Sequence, residues 1–118
     1  APLVSQAARL GLITPEAIPQ LECFQAALTF ARTEGIIVAP ETSHAVASAI
    51  RAALKAKEEG KEKVIIFNLS GHGLVDLKGY DMFMRGELTD FELPMAEIEK
   101  NLEAIKHFPK PEPITQKS

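Results

Sequence analysis

The sequence lacks most of the features that stabilise or target many small proteins. Among 118 residues there is one cysteine, Cys23, and no tryptophan. A single cysteine cannot form an internal disulfide or a cysteine-based metal framework, so we expect no metal. No apolar run reaches the roughly 18 residues of a transmembrane span, and no charged-then-apolar leader is seen. We therefore expect a cytoplasmic protein that does not bind membranes.

Positive charge is also scarce. The chain has 13 Lys and Arg against 16 Asp and Glu, a net charge of -3. Because binding to phosphates needs a basic surface, this balance argues against nucleic acid as the main partner. With 46% hydrophobic and 25% charged residues, the composition is typical of a soluble globular protein, and the length suffices for one domain rather than two.

Apolar residues at helical spacing predict two long helices. The first begins near Pro19 and stops at Gly35, and the second begins at Thr42 or Ser43 as a cap and ends at Gly60. Residues 1–14 contain a short amphipathic stretch stopped by Gly11, and Thr14-Pro15-Glu16 predicts a helix start that Pro19 soon interrupts. Shorter helices are predicted for residues 78–84 and 94–107. Residues 108–118 are predicted to be an extended tail because they are rich in proline.

Two β-branched runs flank the second long helix. Ile36–Val38 is short, whereas Val64–Phe67 is nearly continuous in apolar residues, as in strands covered on both faces of a parallel sheet. A strand, a helix and a second strand of this length predict a right-handed crossover between parallel strands. The predicted fold class is α/β: a partial three-layer αβα domain with a small parallel sheet around this β-α-β core.

Polar residues follow both predicted strands. Glu41 lies just after the first run, and Ser70 lies just after the second. Ligands of parallel sheets bind beyond the carboxyl ends of the strands, and neighbouring strands are about 4.8 Å apart. We therefore expect Glu41, partly buried, and Ser70 to face one crevice.

The loop Ser70-Gly71-His72-Gly73 has several interpretations. Its glycines allow a tight turn and close approach to a ligand, and the Ser70 hydroxyl can donate or accept a hydrogen bond. The loop could equally be only a turn, and Glu41 could be a first-turn acid that favours the helix dipole. Ser70, His72 and Asp76 have the residue types of a hydrolytic triad but lie too close in sequence for its geometry.

Two sequence blocks at this spacing resemble the tryptophan synthase β chain: EGIIVAPETSHAVASAI (34–50) and VIIFNLSGHGLVDLKGYDMFMRGEL (64–88). The resemblance also includes the start of the chain, APLVSQAARLGLI (1–13), and a segment near its end, LPMAEIEKNLEAIKHFP (93–109). It therefore spans nearly the whole chain. His72 stands where the better-known β chains have arginine, which indicates the second, β-like subgroup. The resemblance implies that residues 1–107 are the C-terminal part of a catalytic domain of the type II fold, which binds pyridoxal phosphate (PLP).

The resemblance also implies roles for the loop residues. Ser70 matches the serine whose hydroxyl bonds the pyridine nitrogen of PLP, and Gly71, His72 and Gly73 form the loop beside the ring. Glu41 matches the glutamate near the reacting face. A serine, unlike an aspartate, does not hold a proton on the ring nitrogen, so the ring is a weaker electron sink, which favours elimination of the β-hydroxyl of L-serine. The implied enzyme is a carbon–oxygen lyase that condenses indole with L-serine to L-tryptophan, often with a synthase α subunit.

The family's Schiff-base lysine and glycine-rich phosphate loop lie upstream of this sequence. Without that lysine, covalent catalysis is excluded, so we expect the chain alone to be inactive and to need the missing N-terminal part of the β chain. Exposed strand edges tend to find partners, so we also expect a homodimer. The alternative is a free-standing non-catalytic α/β domain used for binding or assembly; the upstream coding sequence would distinguish the two.

Overall fold

The computed structural model of the protein describes residues 2–109. Within that range the regular structure is helical. In chain order it consists of α1 (Pro2–Arg9), α2 (Gln20–Glu34), α3 (Pro40–Glu58), the 3-10 turn Gly73–Val75, α4 (Leu77–Met84) and α5 (Met95–Ala104). No strand is present between residues 2 and 109, so the predicted parallel sheet and its three layers are not observed in this part of the chain.

Most of the predicted helices are present, with small changes at their ends. The helix start predicted at Thr14 is wrong, because residues 14–19 are not helical. α2 follows Pro19 and stops at Gly35, as predicted, and α4 agrees with its prediction to within one residue. α5 ends three residues before His107. The predicted tail lies almost wholly outside the described residues. Between residues 2 and 109, no helix is both long and apolar enough to cross a membrane.

α3 begins earlier than predicted, at Pro40. Ala39 is the N-cap residue, and proline is favoured at the first helical position because its missing N–H has no partner there in any helix. Thr42 and Ser43, the caps predicted from the sequence, lie inside the helix and are buried. That prediction is wrong because the extended backbone of Ala39 and the fixed φ of Pro40 already start the helix.

The core lies between α2 and α3. Seven buried residues form it, from both helices, from the segment between them and from α4: Phe24, Ala26, Ala27, Val38, Val46, Ala47 and Tyr80. Small side chains on both helices allow a close approach. The ring of Phe24 meets Tyr80 edge-on at 5.3 Å and stacks on Phe83 at 5.6 Å, so α4 closes one side of the helix pair.

The two β-branched runs differ in burial. Val38 is fully buried, whereas Val64 is 90% exposed and Ile66 is 87% exposed. Phe67 packs edge-on against Phe30 of α2 at 5.7 Å. Alternate side chains of the second run therefore face the helices, which is the period of an extended segment. Its expected coverage on both faces is wrong for the described residues, because only the helix side is covered.

The segment after residue 88 returns to the start of α2. The Leu21 N–H donates to the Asp90 carboxylate at 2.9 Å, and the Gln20 amide donates to the Thr89 carbonyl at 3.3 Å. Pro19 offers no side-chain cap, so Asp90 satisfies one of the free N–H groups in the first turn of α2 and its charge favours the helix dipole. Asp90, which is distant in sequence, thus caps the N-terminus of α2 in place of a neighbouring residue.

An ion-pair network joins the segment before α2 to both long helices. Arg51 of α3 donates to Glu22 of α2 and to Glu16, and the Ser48 hydroxyl donates to Glu16 at 2.7 Å. The hydrogen bonds from Ser48 and Arg51 lower the pKa of the Glu16 carboxyl. Because the side chains are about two-fifths exposed, the network orients the segment more than it stabilises the fold.

Candidate functional site

The two predicted site segments lie next to each other, although no strands pair between residues 2 and 109. The Thr42 hydroxyl, in the first turn of α3, donates a hydrogen bond to the Ser70 carbonyl. The hydroxyl oxygens of Thr42 and Ser70 are 3.4 Å apart. Three residues further on, the Gly73 N–H donates to the Ile37 carbonyl at 2.9 Å. The expected proximity therefore arises from a loop docked on a helix start rather than from a β ladder.

The loop is held by hydrogen bonds at Ser70 and at Gly73, but its residues differ in exposure. Ser70, Gly71 and His72 are exposed, whereas Gly73 is buried. Gly71 has a φ of +69°, a conformation that favours glycine. A Cβ atom on Gly73 would overlap the Val38 carbonyl oxygen and lie 2.7 Å from the Ile37 Cγ2 atom. The second glycine is thus required by packing, and the first by the turn that presents Ser70.

Within residues 2–109, no hydrogen bond joins Glu41 to Ser70. Its neighbour Thr42 makes the contact with Ser70 instead. Glu41 is exposed, so the expected partial burial is wrong. The reason is that the first turn of α3 buries Thr42 and Ser43 and directs Glu41 away from the core. As an acid in a first turn, Glu41 also fits the helix-dipole interpretation.

A cavity of about 480 Å³ lies beside the starts of α2 and α3. Glu41 and His44 contribute to its charged and polar wall, and Phe24 and Phe91 contribute aromatic rings. Ser70 does not line this cavity. Glu41 therefore borders this cavity, whereas Ser70 does not.

Cys23 lines the same cavity but is almost fully buried. Its Sγ atom donates to the Ile18 carbonyl at 3.8 Å. Burial raises the pKa of the Cys23 thiol, which keeps it protonated and therefore a poor nucleophile. Its part is to pack the start of α2.

The sequence pattern predicts Thr42 as a cap and does not reveal it as a site residue. A signal was present, because Thr42 precedes Val46 by four residues and Ser43 precedes Ala47 by the same interval. Positions four apart share a face of a helix, so both hydroxyls continue the buried stripe of α3. Within residues 2–109, no group of three or more His, Cys, Asp or Glu is arranged to hold a metal ion.

Comparison with known proteins supports the motif resemblance. No family model matches the chain. The tryptophan synthase beta chain of Thermococcus onnurineus is 60% identical over 92 residues, which are 78% of this chain and 21% of that protein. The tryptophan synthase beta chain 2 of Aquifex aeolicus is 60% identical over 90 residues, 76% of this chain and 21% of that one. The corresponding protein of Thermotoga maritima is 58% identical over 80 residues, or 68% and 19% of the two chains.

The predicted resemblance is therefore confirmed: this chain is similar to a segment of tryptophan synthase β chains. It spans about a fifth of the length of the curated relatives it matches.

Proposed function

Because this chain is similar to part of tryptophan synthase β chains, we propose that it forms the C-terminal part of such an enzyme. The complete protein is a PLP-dependent carbon–oxygen lyase that condenses indole with L-serine to L-tryptophan. The observation that carries the proposal is the Ser70 loop, which is docked on the first turn of α3. The second, β-like subgroup, suggested by His72, is supported by relatives named beta chain 2.

The residues of this loop fit one edge of PLP. Ser70 presents a neutral hydroxyl in an exposed position, and Gly71 beside it has no side chain to obstruct a flat ring. PLP, when bound, withdraws electrons from the α-carbon of the amino-acid substrate. A neutral hydroxyl can bond to the ring nitrogen without fixing a positive charge there, which moderates that withdrawal and favours loss of the β-hydroxyl.

Glu41 is proposed to act near the reacting face. Its exposed carboxylate, next in sequence to the residue that contacts Ser70, can hold or accept a proton close to the site. A positioned acid or base of this kind contributes typically about 10²–10⁴-fold to a rate. The Schiff-base lysine and the phosphate loop are supplied by the N-terminal part of the complete β chain.

The run at residues 64–69 is proposed to be a strand of the parallel sheet in the complete type II fold. The exposed side chains of Val64 and Ile66 support this, because apolar side chains on both faces are typical of a strand between two helical layers. Upstream residues would supply the neighbouring strands. A synthase α subunit is the proposed partner of the complete enzyme.

The test uses a chimeric β chain, in which this sequence replaces the matching segment of the Thermococcus onnurineus protein. Ser70→Asp should shift the absorption spectrum of bound PLP and increase side reactions, while Ser5→Asp on the exposed face of α1 should do neither. Glu41→Ala should lower turnover by about 100-fold or more while PLP still binds, with Glu58→Ala at the end of α3 as the control. An unchanged spectrum and product profile in Ser70→Asp would refute the role of Ser70.

The isolated chain is proposed to form a homodimer. Large apolar side chains are exposed along much of the chain, among them Leu3 of α1, Ile66 and Leu102 of α5, and such surfaces associate in water. Light scattering at micromolar concentration should give twice the monomer mass, and Ile66→Lys should reduce it. A monomer mass for the unchanged chain would contradict the proposal.

A further inference from the structure

We propose that Thr42 is a positioning residue for the Ser70 hydroxyl, an inference that rests on the proposed role of Ser70 at the ring nitrogen of PLP. Nothing in the motif resemblance assigns a part to Thr42. Its side chain is only 3% exposed, and its hydroxyl is directed at the loop rather than at its own helix.

The hydrogen bonds of Thr42 determine which acceptors remain for the hydroxyl proton of Ser70. A hydroxyl has one proton, and Thr42 donates its proton to the Ser70 carbonyl. Towards the Ser70 hydroxyl, Thr42 can therefore only accept. The two oxygens are 3.4 Å apart, longer than the roughly 2.5–3.0 Å of a good hydroxyl–oxygen bond. The Ser70 proton is thus left available for a better acceptor on the exposed side of the loop.

The same contact limits the movement of Ser70. Thr42 is β-branched and its rotamers are restricted in a helix, and it is held by the buried first turn of α3. The loop is then fixed at two points, the Ser70 carbonyl by Thr42 and the Gly73 N–H by Ile37. Only Gly71 and His72 lie between them. The Ser70 Cβ atom is therefore held in place before any ligand binds, which limits the positions that the hydroxyl can reach by rotation about χ1.

The Thr42 side chain fills space in the buried first turn of α3 and donates a hydrogen bond, and substitutions can separate these two contributions. Thr42→Val keeps the shape and removes the hydroxyl, whereas Thr42→Ser keeps the hydroxyl and removes the methyl group. Thr42→Ala and Thr42→Ser differ from each other only in the hydroxyl, so this pair preserves the test if valine prevents folding. Thr29→Val is the matched control, because the Thr29 hydroxyl also donates to a backbone carbonyl, that of Gln25 at 3.0 Å, on the exposed side of α2.

Three measurements on the chimeric β chain test the inference. Without PLP, hydrogen exchange of the peptide that covers residues 70–73 should become about fivefold to tenfold faster in Thr42→Val, as expected for loss of one hydrogen bond. With PLP, the dissociation constant should rise by a similar factor and the absorption spectrum should shift towards that of Ser70→Ala. Thr42→Ser should restore all three properties, and Thr29→Val should change none.

The outcomes separate this inference from the proposed function. If Ser70→Ala changes the PLP spectrum but neither Thr42→Val nor the Thr42→Ala and Thr42→Ser pair alters exchange or spectrum, Thr42 has no positioning role. If Ser70→Ala leaves the spectrum unchanged, the role of Ser70 is wrong and both proposals fail.

Discussion

The helices in the middle of this chain and those near its two ends have similar amphipathic sequences, but only the middle helices bury their apolar faces. α2 and α3 bury apolar and small side chains against each other and against α4, whereas α1 and α5 bury none. α1 is amphipathic, yet Leu3 is 85% exposed. An amphipathic pattern is therefore enough to form a helix, but burial needs a partner surface. The Ser70 loop belongs to the self-packed middle, so its geometry depends less on other parts of an enzyme than its chemistry does.

The largest expected effect is a complete absence of activity. On the proposed function, the Schiff-base lysine lies in the N-terminal part of the complete β chain, so the isolated chain with added PLP should form no detectable tryptophan from indole and L-serine. The chimeric β chain, assayed in parallel, is the positive control. Tryptophan formation by the isolated chain would mean that one of its own lysines serves as the Schiff-base residue.

Gly73→Ala tests how tightly the loop is packed on the core. The new methyl group would overlap the Val38 carbonyl, and because backbone cannot give way easily, the free energy of unfolding should fall by about 3 kcal/mol. Gly60→Ala is the control: it has a positive φ of +63° but no atom within 4 Å of an added Cβ, and should cost about 1 kcal/mol. Urea unfolding measures both, and equal losses would show that the loop is not anchored at Gly73.

One substitution made in both β-branched runs compares the covered and open regions directly. Val38→Ala removes two fully buried methyl groups and should lower the free energy of unfolding by about 2 kcal/mol. Val64→Ala, at a side chain that is 90% exposed, should change it by less than about 0.5 kcal/mol in the isolated chain. A large loss at Val64 would indicate that a second copy or another segment covers this run.

Substitution of Tyr80 should give the smallest loss of stability among the buried positions, and Tyr80 should also make stability depend on pH. Its hydroxyl donates to the Val38 carbonyl at 2.6 Å, so Tyr80→Phe should cost about 1 kcal/mol. Burial, with a further contribution from the charge of Asp76, raises the pKa of the Tyr80 phenol. A raised pKa favours the protonated form in the folded state, so stability is retained below about pH 10, the ordinary tyrosine value, and lost as the pH rises through the higher folded value.

Thermal unfolding between pH 8 and pH 11 checks this sign. The decline in midpoint above about pH 10 should be weaker in Tyr80→Phe than in the unchanged chain. The same decline in both proteins would mean that other groups cause it.

Helices could be predicted from the sequence because their signals are local. Gly35 stops α2 and the apolar spacing of α3 marks its buried face, whatever else is present. The sheet could not be confirmed in this way, because a strand is completed by neighbours and Val64–Phe67 has none among residues 2–109. A continuous apolar run indicates that a segment needs to be covered on both faces. It does not indicate whether the covering residues lie in the same chain.

The closeness of the two predicted site segments could be predicted from the sequence, but not the contacts between them. Residues 40–44 and 70–73 were expected together at the carboxyl ends of two paired strands, and they do lie together, but through a loop docked on the start of α3. That Thr42 rather than Glu41 meets Ser70 depends on where α3 begins, since a shift of one or two residues in the helix start rotates a different side chain towards the loop. The start at Pro40 is decided by backbone geometry, to which the apolar pattern is insensitive.

The contact between Asp90 and the start of α2 bears on the order in which the chain can fold. Sixty-nine residues separate Leu21 from its partner. During synthesis at roughly 5–20 residues per second, the first turn of α2 spends several seconds without this partner. The contacts of α2 with α3 can form in this interval, because α3 follows closely in sequence. The cavity beside Glu41, whose wall includes Asp90 and Phe91, therefore takes its final shape only near the end of synthesis of this segment.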